Sequence, residues 1–141
     1  MYNFRAAIVA LREIKKGGKY EKQRFLFLGK VLYYEKHYGS GDGNGEKILN
    51  PTTCIEIDEG GSMTMETAQI KGVDSSIRKT TAKLNANATL VVHEKIMTHG
   101  VQTAETDFNV NLKGEDCSCH VISRSVAKDN SYQRFISTVD G

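Results

Sequence analysis

The 141-residue sequence has no tryptophan, a single proline and only a small excess of positive charge. Without tryptophan a carbohydrate-binding protein is poorly supported, because sugar sites commonly use large aromatic platforms. A formal net charge of +2, without long runs of Lys or Arg, argues against nucleic-acid binding. The apolar run from Ala6 to Leu11 is too short to span a membrane and carries no signal-peptide cleavage site. We therefore expect a cytoplasmic protein with no membrane span and no nucleic-acid partner.

Cysteine is also scarce, with three residues in a chain long enough to bury a core without disulfides. Two of them lie in the string GEDCSCHVISRS, directly before His120. On a strand, Cys117 and Cys119 would point to one face and His120 to the other. The spacing favours two small core residues. The alternative is a thiolate metal site in which Cys54 or a neighbouring subunit completes the pair.

The N-terminal segment, residues 1–22, is predicted to hold one short amphipathic helix and a linker. Apolar residues recur there at helical spacing. Gly17 and Gly18 follow, and glycine readily adopts the left-handed conformation that ends a helix. The predicted helix covers residues 4–16. Its apolar face consists of Phe4, Ala7, Ile8, Leu11 and Ile14.

Residues 23–141 are predicted to form a single mainly β domain. Short runs of apolar, aromatic and β-branched residues alternate with turn signals at regular intervals, and no convincing helix intervenes. The pattern fits an antiparallel sandwich or barrel, or a solenoid of stacked parallel coils. The single Asp-Gly pair, Asp42-Gly43, lies inside a long loop and not at a tight hairpin. Its position favours the solenoid.

Three other groups of residues have the composition of functional sites. The run Gly39–Gly45 lacks the ending of a phosphate-binding loop, so we interpret it as a corner loop. His93 and His99 could serve as acid–base or metal groups, but a solvent-facing position is the simpler interpretation. Glu105 and Asp107 share a strand face, as paired carboxylates of a polysaccharide-acting solenoid enzyme would. Without an aromatic cleft we do not predict an enzyme.

Four strings within residues 25–141 are too long to be generic strand sequence. They are YEKHYG with the glycine run after it (34–39), METAQIKGVD (65–74), MTHG with AETDF (97–100 and 104–108) and VISRSVAKDN (121–130). Together they resemble the SufB/SufD family of iron–sulfur cluster assembly scaffolds, in particular a short clostridial-type branch. The resemblance implies a right-handed parallel β-helix. Together with the predicted N-terminal helix, this gives the expected fold.

The resemblance further implies a non-catalytic scaffold that works with a SufC-type ATPase and a second SufB/SufD-like subunit. Family members continue beyond the position where this sequence stops, so it resembles a fragment or a truncated relative. The cysteine and histidine that the family uses fall in that later region, and none can be assigned here. An iron–sulfur cluster would be transient and held by the full-length assembly.

Two further expectations concern binding. The alternative to the scaffold is a generic protein-interaction β-solenoid, or a truncated remnant that binds no cluster. A solenoid also needs caps, because a terminal coil exposes apolar interior and unpaired strand edges. The predicted helix could cover the first coil, whereas residues 131–141 offer no cap. We therefore expect self-association through the C-terminal end.

Overall fold

The computed structural model describes residues 5–14, 22–27, 30–39 and 46–141, with side chains placed in the last two ranges. Within these ranges the chain consists of strands joined by turns and short connections. The strands are β1 (Arg5–Ile14), β2 (Lys22–Phe27), β3 (Lys30–Gly39), β4 (Ile48–Leu49), β5 (Thr52–Ile57), β6 (Ser62–Lys71), β7 (Ser75–Leu84), β8 (Thr89–Thr98), β9 (Thr103–Leu112), β10 (Ser118–Ala127) and β11 (Tyr132–Asp140).

The strands form two sheets in which every described pairing is parallel. Sheet A has the order β1-β3-β6-β8-β10, and sheet B has the order β11-β9-β7-β5-β2, with β4 beside β7. The chain visits the two sheets in turn, so each coil contributes one long strand to each sheet. The parallel solenoid is therefore confirmed, and the antiparallel sandwich is excluded.

The corners of the coils stack in register. At the corner that leads from sheet B to sheet A, the left-handed residues are Gly60, Asn87 and Asp116, with φ of 71°, 56° and 55°. At the opposite corner Gly100 and Asp129 have φ of 61° and 60°, and the Gly100 amide donates to Asp129 Oδ2 at 2.9 Å. Glycine, asparagine and aspartate are the residues that tolerate this conformation best. The turn signals in the sequence therefore mark the coil corners.

The interior is apolar along one side. Inward-facing residues at the start of the sheet A strands meet those at the end of the sheet B strands, and together they form one hydrophobic cluster. Burial of this apolar surface is the main stabilising contribution to such a fold. The buried members are Val31, Tyr33, Ile55, Ile57, Met63, Met65, Ala82, Leu84, Ala88, Leu90, Val92, Phe108 and Val110.

The other side of the interior is polar. It lies where the sheet A strands end and the sheet B strands begin, so the same strands supply both halves. Burying so many polar groups requires hydrogen-bond partners for them. The buried polar residues are Glu35, His37, Thr53, Thr67, Gln69, Ser76, Arg78, Thr80, Glu94, Thr98 and Thr106.

The N-terminal helix predicted for residues 4–16 is wrong over the part of it that the structure describes. Arg5–Ile14 form strand β1, which pairs with β3 from Arg5 beside Lys30 to Ile14 beside Gly39. A short apolar run such as Ala6–Leu11 cannot be assigned to helix or strand by periodicity alone. The available edge of β3 selects the strand, and β1 is the first described strand of sheet A. The domain boundary between residues 22 and 23 stays a prediction.

The last coil, β10 and β11, is the outermost in both sheets. Its apolar side chains are correspondingly exposed, with Phe135 44% and Val139 62% accessible. Both residues lie in register with inward-facing neighbours, Thr106 and Val110. The interior of the solenoid is thus open at this end of the described chain. None of the described ranges contains a helix with the length and apolar content that crossing a membrane requires.

Candidate functional site

The structure separates the three cysteines proposed as metal ligands. Cys117 and Cys119 pack against the hydrophobic cluster at the last coil, while Cys54 lies in β5 on the outward-facing side. In the described part of the chain, no group of three His, Cys, Asp or Glu side chains could hold a metal ion. Burial and the neighbouring Cys117 raise the pKa of the Cys119 thiol to about 11. A neutral, core-packed thiol is a poor metal ligand and a poor nucleophile.

The other sequence candidates are also dispersed. His93 is partly exposed on the outer face of sheet A, where Nδ1 lies 3.7 Å from Glu66 Oε1. His99 is exposed at a corner, with Nδ1 3.0 Å from Gln102 Oε1. Asp107 accepts a hydrogen bond from a neighbouring amide on the outer face of sheet B. The glycine-rich loop falls on residues 40–45, outside the described ranges. His93 and His99 therefore face solvent, as predicted.

The most unusual group in the molecule is a buried ion pair in the polar half of the interior. Arg78 of β7 donates from Nη1 to Glu94 Oε2 at 2.8 Å, and both side chains are about 95% buried. The same Nη1 donates to Thr67 Oγ1 at 2.7 Å. Thr106 and Ser123 donate to Glu94 at 3.1 Å. These hydroxyls satisfy the carboxylate that burial would otherwise leave without hydrogen bonds.

The network continues from Arg78 into the preceding coil. Arg78 Nη2 lies 2.8 Å from His37 Nδ1. A guanidinium can only donate, so His37 Nδ1 must accept and Nε2 must carry the proton. That proton is donated to Glu35, which also accepts a hydrogen bond from Tyr33. The hydrogen bonds thus form a chain of carboxylate, imidazole, guanidinium and carboxylate through three successive coils.

Glu35 is held in its charged form inside the protein. Burial alone would raise its pKa, because a charged carboxylate loses its hydration. The hydrogen bond from His37, the hydrogen bond from Tyr33 and the charge of Arg78 outweigh this effect. Together they lower the pKa of Glu35 to about 2. The network therefore holds Glu35 as a carboxylate at neutral pH.

The pairing and burial of this network are typical of a structural group inside a protein. Its charges are paired, its hydroxyls are engaged in hydrogen bonds, and its members other than Ser123 are buried. Buried ionic networks of this kind favour one register of neighbouring elements over others. We interpret the network as the group that fixes how successive coils align.

Sequence reasoning missed this network, although a signal for it exists. Glu35 and His37 continue the inward phase set by Val31 and Tyr33 at a period of two residues. Arg78 and Glu94 likewise fall on inward positions of β7 and β8. A charged residue in the inward phase of a strand must find a partner. The sequence could not show the partners of Arg78, because Glu94 and His37 are 16 and 41 residues away from it.

Comparison with known proteins finds a relative among the proteins of iron–sulfur cluster assembly. The chain is 30% identical over 125 residues to an iron–sulfur cluster assembly SufBD family protein of Methanocaldococcus jannaschii. The aligned region covers 82% of this chain and 37% of that protein, so the chain spans little more than a third of its relative. No family profile and no solved structure matches the chain. The chain is therefore similar to a SufBD family protein, and it has the parallel solenoid described above.

Proposed function

We propose that the chain belongs to the SufB/SufD family and acts as a non-catalytic scaffold component in iron–sulfur cluster assembly. The observation that carries the proposal is the 30% identity to the archaeal SufBD family protein over most of this chain. The stacked parallel coils support it, because a solenoid offers an extended rigid surface for partner proteins. The buried Arg78–Glu94 network supports a rigid scaffold further, since it fixes the alignment of coils.

The proposed scaffold works in the cytoplasm with other proteins. A SufC-type ATPase would supply energy, and a second SufB/SufD-like subunit would complete the assembly. The outer faces of both sheets are available for such contacts. The cluster itself would be a transient cargo of the assembly, because Cys54 lies apart from the core-packed Cys117 and Cys119.

Co-purification tests the partner proposal. The tagged chain would be co-expressed with a SufC-type ATPase and a SufB/SufD-like subunit and then isolated by affinity and size-exclusion chromatography. We expect a complex of defined stoichiometry that contains the ATPase. An unrelated parallel β-solenoid protein with the same tag serves as the control. Isolation of the chain alone, with an ATPase that is folded and active, would contradict the scaffold and leave the generic interaction module.

Anaerobic reconstitution with iron and sulfide tests the cluster proposal. We expect iron to be retained by the complex and not by the isolated chain. In the complex, the double substitution Cys117→Ser and Cys119→Ser should leave the bound iron unchanged, because these thiols serve as core residues. Loss of iron in that variant, with the complex intact, would restore the cysteine pair as cluster ligands. Absence of iron from a well-formed complex would instead remove the cluster function.

A further inference from the structure

The outer face of sheet A contains a cavity of about 240 Å³ above Ala68. Residues of four neighbouring strands line it, most of them outward-facing and joined by the inward-facing Thr67 and Glu94, so the stacking of the coils forms the site. Register places Tyr34, Glu66, His93 and Ile122 in one row across the sheet. The next row consists of Lys36, Ala68, Lys95 and Arg124.

The cavity exists because Ala68 is the small member of a row of long side chains. Its neighbours in the row are Lys36 on β3 and Lys95 on β8, and adjacent strands lie about 4.8 Å apart. The methyl group of Ala68 leaves a recess that Lys95 of the same row borders, whereas Lys36 is not part of its lining. Ala68 points outward and is nevertheless 6% exposed, since the neighbouring side chains cover it. The recess is therefore walled and is not an open flat surface.

The charges around the recess are unbalanced. Lys95 and Arg124 are register neighbours, and like charges directly opposite each other destabilise a sheet. Neither side chain forms an ion pair within the described part of the chain. Of the two carboxylates in the lining, Glu94 is paired with Arg78, and Glu66 lies 3.7 Å from His93. Two cations thus border a cavity that offers them a single, shared counter-charge.

Two adjacent cations beside an apolar wall are suited to binding an organic oxyanion. The guanidinium of Arg124 can donate two parallel hydrogen bonds to a carboxylate or phosphate, and Lys95 adds a point charge. Tyr34 and Ile122 supply apolar wall for the body of a ligand. We propose that this recess binds a small organic oxyanion, a phosphate monoester or a carboxylate, with Lys95 and Arg124 as the anion-binding residues. The inference does not depend on the proposed scaffold function.

Amide chemical shifts of the isotope-labelled chain, followed by NMR, provide the test. Phenyl phosphate, benzoate and inorganic phosphate are titrated separately at constant ionic strength. We expect saturable shifts at Ala68, Lys95 and Arg124 with phenyl phosphate or benzoate, and the stronger of the two assigns the anion class. Weaker binding of inorganic phosphate is expected, because it cannot use the apolar wall. Absence of saturable shifts with both organic probes would overturn the proposal.

Substitutions separate the site from general electrostatics. Arg124→Gln and Lys95→Gln should each weaken binding about tenfold. Ala68→Leu should abolish it by filling the recess. Lys79→Gln removes the same charge from the outer face of sheet B and should change the affinity less than twofold. If Lys79→Gln weakened binding as much as Arg124→Gln, or if a folded Ala68→Leu variant bound normally, the recess would not be the site.

Discussion

Arg78 links three coils, because its guanidinium contacts His37, Thr67 and Glu94. Replacing it with methionine would retain most of the volume but leave Glu94 buried without a cation. Removing one partner of a buried ion pair typically costs about 3–5 kcal/mol. We expect Arg78→Met to lower the free energy of unfolding by that amount, measured by urea denaturation.

Neighbouring variants control for this experiment. Lys79→Met, on the outer face of the same strand, should change stability by less than about 0.5 kcal/mol. The double variant Arg78→Met with Glu94→Leu should recover much of the loss, because no charge is then left without a partner. If the double variant were as unstable as Arg78→Met, the cost would come from packing and not from the unpaired carboxylate.

Glu35 gives the protein a predictable acid sensitivity. Its folded pKa of about 2 lies below its ordinary value of 4.5, so the unfolded chain binds a proton more readily. The resulting stabilisation is present above about pH 5 and is lost as the pH falls toward 2. Its size is on the order of 3 kcal/mol. Urea unfolding of the native chain between pH 7 and pH 2.5 should show this loss.

Glu35→Gln is the variant that identifies the group responsible. It should be less stable than the native chain at pH 7, and the two stabilities should converge on acidification. A difference that stayed constant between pH 7 and pH 3 would mean that Glu35 is not the titrating residue.

At the scale of elements, the corners are the positions where the choice of residue is most restricted. A Cβ on Gly114 would lie 2.0 Å from the Ala86 main-chain nitrogen, so Gly114→Ala would push two coils apart. Overpacking of this kind costs about 1–3 kcal/mol. Gly60 has φ of 71° but open space around it, and Asn87 occupies the equivalent corner one coil later. Gly60→Asn should therefore be tolerated.

Thermal unfolding compares the two corner variants directly. We expect a clear decrease in Tm for Gly114→Ala and little change for Gly60→Asn. Equal decreases would mean that the close approach of coils at Gly114 is no more restrictive than the left-handed backbone at Gly60.

The corners could be predicted from the sequence, but the first strand could not. Turn residues such as Asn87 and Asp129 mark the corners because few residues tolerate a positive φ, which is a local property. The secondary structure of Arg5–Ile14 is not determined by its local sequence. Its apolar spacing fits one face of a helix, yet the free edge of β3 supplies the main-chain hydrogen bonds that make it a strand. Long-range pairing overrides periodicity in such a segment.

At the scale of the whole molecule, the open last coil predicts self-association. Phe135 and Val139 face the interior by register, yet they are 44% and 62% exposed in the last described coil. Sedimentation velocity should show concentration-dependent association of the native chain. Phe135→Lys with Val139→Lys should shift the chain to monomer, because burying the new charges would be costly.

The matched control for this prediction is Ile136→Lys. Ile136 lies between the two positions but is in register with the outward-facing Asp107. The control should therefore associate like the native chain. A native chain that stayed monomeric at high concentration, or a control that dissociated equally, would contradict association through the interior.

The solenoid itself could be predicted because it follows from repeated spacing and from strings such as VISRSVAKDN. The arrangement of the recess and of the cysteines could not be predicted. The row that joins Ala68, Lys95 and Arg124 exists only once three coils are in register, and the sequence separation of these residues conceals it. Likewise, alternation indicated that Cys117 and Cys119 share a face, while only the coil order shows that Cys54 is elsewhere.

The ion pair between Arg78 and Glu94 also determines how far the solenoid can open from its last coil. Separating β10 from β8 would break the hydrogen bond from Ser123 to Glu94 and release apolar side chains of the last coil that are already about half exposed, but it would leave the ion pair of Arg78 and Glu94 intact. Peeling off β8 as well would remove Glu94 from Arg78 and leave two unpaired charges. Fraying from this end should therefore proceed one coil and then stop. Amide hydrogen exchange would show this limit as fast exchange in β10 and β11 and a sharp rise in protection at β8.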